Sequence, residues 1–292
     1  MPVRQHPVGP VLVVTLDEPA TRHALSAALV ASLHGIFSEL AGRQPLDPGD
    51  GDGAGADIGP GGTRRPRVVV LRSTGAVFCA GAHLGEMAEA GRAGPEANLA
   101  AALRLGGMFR AVHDCPVPVV ARVQGGAYGG GVGLAAACDL VVAGPRAAFR
   151  LSEVALGLVP GVISPLVSER TGTARARDLF LTSRACDGAE ALRLGLADRV
   201  APEGGLDGAV EAVVDSLLRG GPVALAAAKR LAAEVAELGY EVGEETCAAS
   251  IAAARATPEA QAALAAFLER RPAPWTPTAG WTLPPCDGEA RS

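Results

Sequence analysis

The chain carries the sequence Gly75-Ala-Val-Phe-Cys-Ala-Gly-Ala-His-Leu-Gly-Glu-Met87 and, further on, Val123-Gln-Gly-Gly-Ala-Tyr-Gly-Gly-Gly-Val-Gly-Leu-Ala135. Each stretch follows a β-branched apolar run and precedes a helix-like run, so each predicts a strand, a glycine turn and a helix. The first N–H groups of a helix lack partners inside it and lie at the positive end of its dipole. Two such ends that face one point can hold an oxyanion. Alternatively, the glycines only permit close packing of strand on helix.

Composition narrows the class of protein. A chain of 292 residues that is 49% hydrophobic can bury a full core, as one large domain or two small ones. The net charge of −5, the absence of a basic block and an aromatic content of 3% argue against nucleic acid as a partner. The six cysteines share no metal-binding spacing, and no apolar run reaches the length of a membrane span. We therefore expect a cytoplasmic protein that holds no metal and binds no membrane.

In the first half of the chain, apolar periodicity around the two turns predicts a mixed α/β core covered on both faces. Ser26 is a candidate N-cap for a helix that buries Leu29, Leu33, Ile36 and Leu40. The predicted strands span residues 11–16, 68–71, 119–123 and 140–143, and the predicted helices of this half span 26–40, 96–113 and 130–137.

The second half of the chain is rich in alanine and predicts helices. They span residues 175–182, 188–195, 206–219, 223–238 and about 242–270, and Pro258 divides the last of them. We divide the chain into a core of residues 1–200, a helical region of 201–270 and a proline-rich tail of 271–292 that we expect to be poorly ordered. Residues 43–66 are predicted to be a flexible surface insertion. Its acidic cluster lacks the closing glutamate of a calcium loop.

Four pieces of sequence carry a family resemblance. They are Leu16-Asp-Glu-Pro-Ala-Thr-Arg-His-Ala-Leu-Ser26, Phe78-Cys-Ala-Gly-Ala82, Gly129-Gly-Gly131 with Cys138-Asp139, and Leu151-Ser-Glu-Val-Ala-Leu-Gly-Leu-Val-Pro160. In this order and spacing, over about residues 8–270, the chain resembles the enoyl-CoA hydratase/isomerase (crotonase) superfamily. Within that superfamily it looks most similar to the methylglutaconyl-type, or branched enoyl-CoA, hydratases.

The resemblance implies an α/β fold, a crotonase-like spiral of ββα units with a helical C-terminal region that trimerises, so we expect a homotrimer or hexamer. It also implies an acyl-CoA substrate. Coenzyme A is then part of the substrate, and we expect no separate cofactor. The thioester carbonyl would lie between the backbone N–H groups of Ala82 and Gly130, and Glu153 would act as general acid/base. The alternative is that Glu153 is only a carboxylate at a helix N-terminus, stabilised by the helix dipole.

One departure from the family pattern bears on the reaction. Two-carboxylate hydratases carry a glutamate at the position of Gly133, so this chain offers only Glu153. A lone carboxylate readily moves a proton between two carbons, which favours a Δ3,Δ2-enoyl-CoA isomerase. The subgroup resemblance favours hydration. We predict a hydratase (lyase), with an isomerase or a non-catalytic acyl-CoA-binding protein as alternatives.

Further departures concern the expected substrate contacts. His83 replaces a usual aspartate, and either orients water or the acyl group or is a tolerated polar substitution. Gly85 replaces the usual CoA-binding lysine, which leaves Arg22, with Lys229 behind it, as the candidate phosphate ligand. These losses admit an acyl chain carried on a carrier protein. Tyr128 and Leu84 line either the acyl pocket or the core. The complete set of expected substrate-binding residues is Arg22, His23 (in place of the usual asparagine), Ala24, Ala80, His83, Leu84, Tyr128, Gly129 and Gly133.

Overall fold

The computed structural model describes residues 2–42, 65–236, 238, 240–276 and 280–286. Within these ranges the strands are β1 (Val3–Val8), β2 (Val11–Leu16), β3 (Val68–Ser73), β4 (Val77–Cys79), β5 (Val119–Val123), β6 (Gly126–Tyr128), β7 (Leu140–Ala143), β8 (Ala148–Arg150), β9 (Ala185–Asp187) and β10 (Arg199–Val200). The helices are α1 (Ala27–Gly42), α2 (Leu84–Arg92), α3 (Pro95–His113), α4 (Gly130–Ala136), α5 (Ser164–Thr171), α6 (Thr173–Thr182), α7 (Gly188–Leu194), α8 (Leu206–Leu218), α9 (Pro222–Ala236), α10 (Tyr240–Ala256) and α11 (Pro258–Leu268).

The larger sheet forms the centre of the molecule. Its strands run in the order β1-β2-β3-β5-β7-β10, and every neighbouring pair except β1 with β2 is parallel. Strands β2, β3 and β5 are buried along their whole length, which explains their continuous β-branched sequences. One face packs against α1, α3 and α4, and the other packs against α8. This confirms the α/β class and a sheet covered on both faces.

The smaller sheet runs beside it in the order β4-β6-β8-β9. Each of the pairs β3 with β4, β5 with β6, and β7 with β8 is joined by a short turn, and each pair gives one strand to each sheet. Helices follow each pair, so the same β-β-α unit is repeated along the chain. This repeat confirms the predicted spiral of ββα units.

The predicted elements of the first half lie where the sequence places them. Ser26 precedes α1, and its hydroxyl oxygen accepts a hydrogen bond from the amide of Leu29 at 3.2 Å. The predicted apolar face of α1 is buried, and β5 and β7 have the predicted bounds. The insertion predicted at residues 43–66 lies outside the described residues apart from its last two positions. None of the described helices is both long enough and apolar enough to cross a membrane.

The C-terminal helices also follow the prediction, and Pro258 begins α11 as expected for a helix interrupted by proline. Helix α9 is tied to the core by an ion pair between Lys229 and Asp139, with 2.9 Å between Nζ and Oδ2. Its first amides, those of Val223 and Ala224, each donate a 2.9 Å hydrogen bond to the buried carboxylate of Glu259. The domain boundary predicted at residue 200 stays a prediction.

The tail was expected to be poorly ordered, and residues 280–286 do not fit that expectation. Leu283 and Cys286 are buried, and the amide of Leu283 donates to the Glu211 carboxylate at 2.8 Å. The carbonyls of Pro284 and Pro285 accept hydrogen bonds from the buried guanidinium of Arg72. The prolines therefore extend the chain across α8 and β3 and leave its carbonyls available as acceptors.

We predict that Leu283→Ala lowers the melting temperature, because it empties a site in the cluster between the tail and α8. A buried leucine reduced to alanine costs at least about 2 kcal/mol, which is several degrees in a domain of this size. Leu181→Ala, at a position 70% exposed, is the control and should change little. Equal melting temperatures for the two variants would contradict the packed tail.

Candidate active site

Three neighbouring strands of the smaller sheet end at one edge. Strand β6 lies between β4 and β8 and pairs in parallel with both. The carboxyl ends of the three strands therefore lie side by side. Ala80–Ala82 follow β4, Gly129 and Gly130 follow β6, and Leu151–Glu153 follow β8. The topology therefore gathers the two glycine turns and the acidic residue that the sequence singled out.

The two glycine turns are in direct contact. Gly81 has a φ of +89°, and a Cβ on it would lie 2.5 Å from the carbonyl oxygen of Tyr128 and 3.3 Å from the amide nitrogen of Gly130. A Cβ on Gly130 would lie 3.6 Å from the amide nitrogen of Ala82. The amide nitrogens of Ala82 and Gly130 are therefore close neighbours, and a side chain at position 81 would force the turns apart.

The amides of Ala82 and Gly130 have no hydrogen-bond partner within the described part of the chain. Gly130 is the first residue of α4, so its N–H points out of the helix. Two neighbouring unpaired donors of this kind suit an oxygen atom that carries negative charge.

The carboxylate of Glu153 lies against the second turn. A Cβ on Gly129 would lie 3.0 Å from Oε1 of Glu153, and the amide of Gly129 donates to the carbonyl of Arg150, in β8, at 2.8 Å. Oε2 of Glu153 is buried and accepts no hydrogen bond from the described residues. Burial is the largest influence and raises the pKa of Glu153, while its own backbone N–H partly opposes the rise. A half-buried carboxyl with a raised pKa and an unpaired oxygen is suited to proton transfer.

Apolar packing surrounds Gly133, the position at which the family resemblance implies a second glutamate in two-carboxylate hydratases. A Cβ on Gly133 would lie 2.8 Å from Cβ of Ile163, closer still to its Cγ2, and 3.4 Å from the ring of Phe109. Gly133, Ile163 and Phe109 are all buried. Glycine is therefore required at this position by Ile163, and no second carboxylate can enter from α4 without displacing that side chain.

We predict that Gly133→Ala destabilises the protein by about 1–3 kcal/mol, because even one methyl group overpacks this contact. The melting temperature should fall by several degrees. Gly107→Ala, where the nearest atoms lie 3.9 Å away, is the matched control in α3 and should not be destabilised. In the double variant Gly133→Ala/Ile163→Ala, part of the overpacking cost should disappear. Additive effects of the two substitutions would contradict the contact.

His83 is the N-cap of α2. Its Nδ1 accepts a hydrogen bond from the amide of Glu86 at 3.3 Å, in the position that a capping aspartate would occupy. The Glu86 carboxylate accepts from the amide of Ala27 at 2.7 Å and joins α2 to the start of α1. This geometry gives His83 a capping role, whereas Leu84 is 59% exposed beside it.

The expected coenzyme A contacts are arranged differently from the prediction. The imidazole of His23 is buried, so this side chain does not face solvent as a ligand. Arg22 is exposed, and its carbonyl accepts from the amide of Ala80 at 2.9 Å. Lys229, predicted as a second phosphate ligand, is engaged by Asp139. Ala24 is buried next to this segment.

Tyr128 folds back along its own strand. Its ring occupies the space that a side chain on Gly126 would take, with the ring atoms about 2.5 Å from such a Cβ. Tyr128 is only half-buried. The ring of Tyr128 can occupy this space because Gly126 has no side chain.

Sequence reasoning missed two residues that shape the site. Gly81 belongs to the Phe78–Ala82 motif, and a glycine beside Ala82 is a signal for close backbone approach. Leu25 approaches Gly130, and its Cδ1 would lie 2.9 Å from a Cβ there. Leu25 lies in the Leu16–Ser26 piece of the family resemblance, but its contact with Gly130 depends on a residue far along the chain. Among the described residues, no group of three His, Cys, Asp or Glu side chains is arranged to hold a metal ion.

Comparison with known proteins shows which family the chain belongs to. A family model described as Enoyl-CoA hydratase/isomerase matches residues 62–278. A Thermus thermophilus protein assigned as an enoyl-CoA hydratase is 34% identical over 90% of this chain and 96% of its own length. An enoyl-CoA isomerase/hydratase of Mycosarcoma maydis is 32% identical over 74% of each chain. The crystal structure of an enoyl-CoA hydratase/isomerase from Marinobacter aquaeolei superimposes with a TM-score of 0.83, at 31% identity, over 94% of this chain and 99% of that one.

The chain belongs to the enoyl-CoA hydratase/isomerase family, and its fold is the crotonase-like fold of that family. The resemblance drawn from the four sequence pieces is confirmed at the level of the superfamily. The protein is an enzyme of this family, and membership of the family implies an acyl-CoA substrate.

Proposed function

We propose that the protein adds water to the conjugated double bond of an enoyl-CoA thioester. The thioester oxygen would accept hydrogen bonds from the amides of Ala82 and Gly130. The Glu153 carboxylate would take a proton from water as the water oxygen bonds to Cβ, and would then return that proton to Cα of the resulting enolate. The observation that carries the proposal is the meeting of two unpaired amides with a carboxyl group at the ends of three adjacent strands.

The energetics favour this assignment of roles. Negative charge moves onto the thioester oxygen only as the enolate forms, so donors preorganised for that oxygen lower the barrier selectively. Comparable donors contribute roughly 3–4 kcal/mol each. A positioned carboxyl contributes typically another 10²–10⁴-fold in rate. The dipole of α4 adds to the field at Gly130. Together these effects supply an enolate pathway from groups of the protein itself.

A second candidate reaction is isomerisation of a 3-enoyl to a 2-enoyl thioester. The apolar contact of Gly133 with Ile163 favours it, because the place of a second carboxylate is occupied by methyl groups. Glu153 would remove a proton from Cα and deliver it to Cγ as the double bond shifts. This route requires no water molecule to be held or deprotonated.

The group that carries the acyl chain is proposed from the cations that could bind its phosphate. Lys229 is paired to Asp139, whereas Arg22 is exposed and its carbonyl accepts a hydrogen bond from the amide of Ala80. An acyl chain on a carrier protein, which carries a single phosphate on its arm, is therefore proposed beside coenzyme A. We also propose a homotrimer or hexamer, supported by the exposed apolar side chains of Leu264, Phe267 and Leu268 on α11.

The test uses purified protein with short, branched and carboxylated 2-enoyl-CoA and 3-enoyl-CoA thioesters. Hydration removes the absorbance of the conjugated thioester, and isomerisation of a 3-enoyl substrate creates it. In deuterated water, incorporation at Cα with a new hydroxyl group at Cβ identifies the hydratase. Exchange at Cα and Cγ without water addition identifies the isomerase. No turnover of any thioester, with binding retained, would reject both and leave a non-catalytic acyl-CoA-binding protein.

A further inference from the structure

The segment from Arg22 to Leu25 runs along the turn that carries Ala82. The carbonyl of Arg22 accepts from the amide of Ala80 at 2.9 Å, and the amide of Leu25 donates to the carbonyl of Gly81 at 2.7 Å. The carbonyl of His23 accepts from the thiol of Cys79 at 3.1 Å. The backbone path of this segment therefore sets where the Ala82 turn lies.

That path is one that side-chain-bearing residues rarely adopt. Arg22 and His23 have φ values of 52° and 56°, so two successive non-glycine residues are left-handed. Such a conformation persists only where the surroundings impose it. The most buried group of the segment is the imidazole of His23, which is 1% exposed.

One hydrogen bond ties this imidazole to the larger sheet. Nε2 of His23 lies 3.1 Å from the hydroxyl oxygen of Thr74, and Thr74 follows directly on β3. The amide of Thr74 donates to the carbonyl of Leu16, which fixes Thr74 to the end of β2. Nδ1 of His23 is buried and makes no hydrogen bond with the described residues. The hydroxyl of Thr74 is therefore the side-chain partner of the imidazole, and the backbone of Val77 lies beside the ring as a further contact.

We propose that His23 is a positioning residue: its bond to Thr74 holds the Arg22–Leu25 segment in its left-handed path and thereby sets the Ala82 amide beside that of Gly130. The proposal rests on the proposed function, in which these two amides bind the thioester oxygen. The imidazole acts through the backbone and does not touch the substrate. Leu25, at the end of the same segment, lies against Gly130: a Cβ built on Gly130 would lie 2.9 Å from Cδ1 of Leu25. A shift of the segment would therefore also reach Gly130.

The experiment compares the variants Thr74→Val, His23→Ala and His23→Asn. A displacement of about 1 Å in a catalytic group can cost about 100-fold in rate. We expect kcat to fall between ~10- and ~100-fold in Thr74→Val and His23→Ala, with KM changed by less than about threefold. Asparagine tolerates the left-handed region, so His23→Asn should lose less. Thr182→Val removes an exposed hydroxyl that bonds to the Asp178 carbonyl, and it should keep full activity.

Hydrogen exchange gives a readout that does not depend on turnover. The amides of Ala80 and Leu25 should exchange faster in Thr74→Val and His23→Ala than in the parent protein, while amides of β5 keep their protection. Unchanged exchange at both amides, or unchanged kcat in both variants, would overturn the positioning role. A parent protein that turns over no enoyl thioester, but shows the exchange difference, would instead reject the proposed function.

Discussion

Glu153→Gln is expected to lower kcat by about a thousandfold, the middle of the range for loss of a general acid/base. Glutamine keeps the shape of the side chain beside Gly129 but can neither take nor return a proton. KM should change little, because the carboxyl group acts on the proton rather than on binding. Initial rates with the best thioester substrate measure the effect. Glu203→Gln, which alters a carboxylate 68% exposed, is the matched control and should retain activity.

The same variant should be more stable at neutral pH. Burial raises the pKa of Glu153 in the folded protein, so the folded state favours the protonated form. The stability that this group contributes is complete below the unfolded pKa, and it is lost as the pH rises through the folded pKa. At pH 7 the parent protein therefore holds a disfavoured carboxylate that Glu153→Gln removes. The higher melting temperature of Glu153→Gln relative to the parent protein should vanish in acid, below the ordinary glutamate pKa of about 4.3.

The raised pKa also predicts the shape of the pH profile. Hydration begins with the ionised carboxylate, so activity should be lost as Glu153 becomes protonated. The acid limb of kcat/KM should then lie above the pH expected for an ordinary glutamate. Full activity of Glu153→Gln, or a profile without an acid limb, would show that another group moves the proton. A stability advantage without any change in rate would make Glu153 a structural carboxylate.

The parts of this fold that sequence predicted well are those with a local cause. Strands β5 and β7 were bounded by their apolar runs, α1 by Ser26, and α11 by Pro258. The convergence of Ala82, Gly130 and Glu153 was also accessible, because turns that follow parallel strands share one edge of a sheet. For the strands and helices the physical reason lies within a few residues of the feature it explains, whereas the convergence depends on the pairing of β4, β6 and β8.

The parts that sequence could not supply depend on partners far along the chain. Gly133 is matched by Ile163, 30 positions later, and Arg72 by the carbonyls of Pro284 and Pro285. The tail resembled a disordered segment because proline content reports local stiffness and not the presence of a buried cation that needs acceptors. Lys229, which the sequence offers as a candidate phosphate ligand, forms an ion pair with the distant Asp139.

Gly130→Ala is expected to reduce kcat by about 100- to 1000-fold, the cost of losing one donor to an oxyanion. The added methyl group would lie 3.6 Å from the amide nitrogen of Ala82, beside the space that the two amides share. Alanine keeps the N–H group of residue 130, but its methyl group would hinder a thioester oxygen that has to reach both donors. The lost interaction belongs mainly to the transition state, so the effect should fall on kcat more than on KM.

Stability separates this prediction from a folding defect. The closest atom to the new methyl group is Cδ1 of Leu25, the flexible end of a side chain that can move aside. Gly130 does not have a positive φ, so alanine fits its backbone, and alanine favours the helix that begins there. Gly35→Ala in α1, with no atom within 4 Å, is the control for the helix effect alone. An inactive Gly130→Ala with an unchanged melting temperature would locate the chemistry at this amide, whereas a fully active one would remove Gly130 from the site.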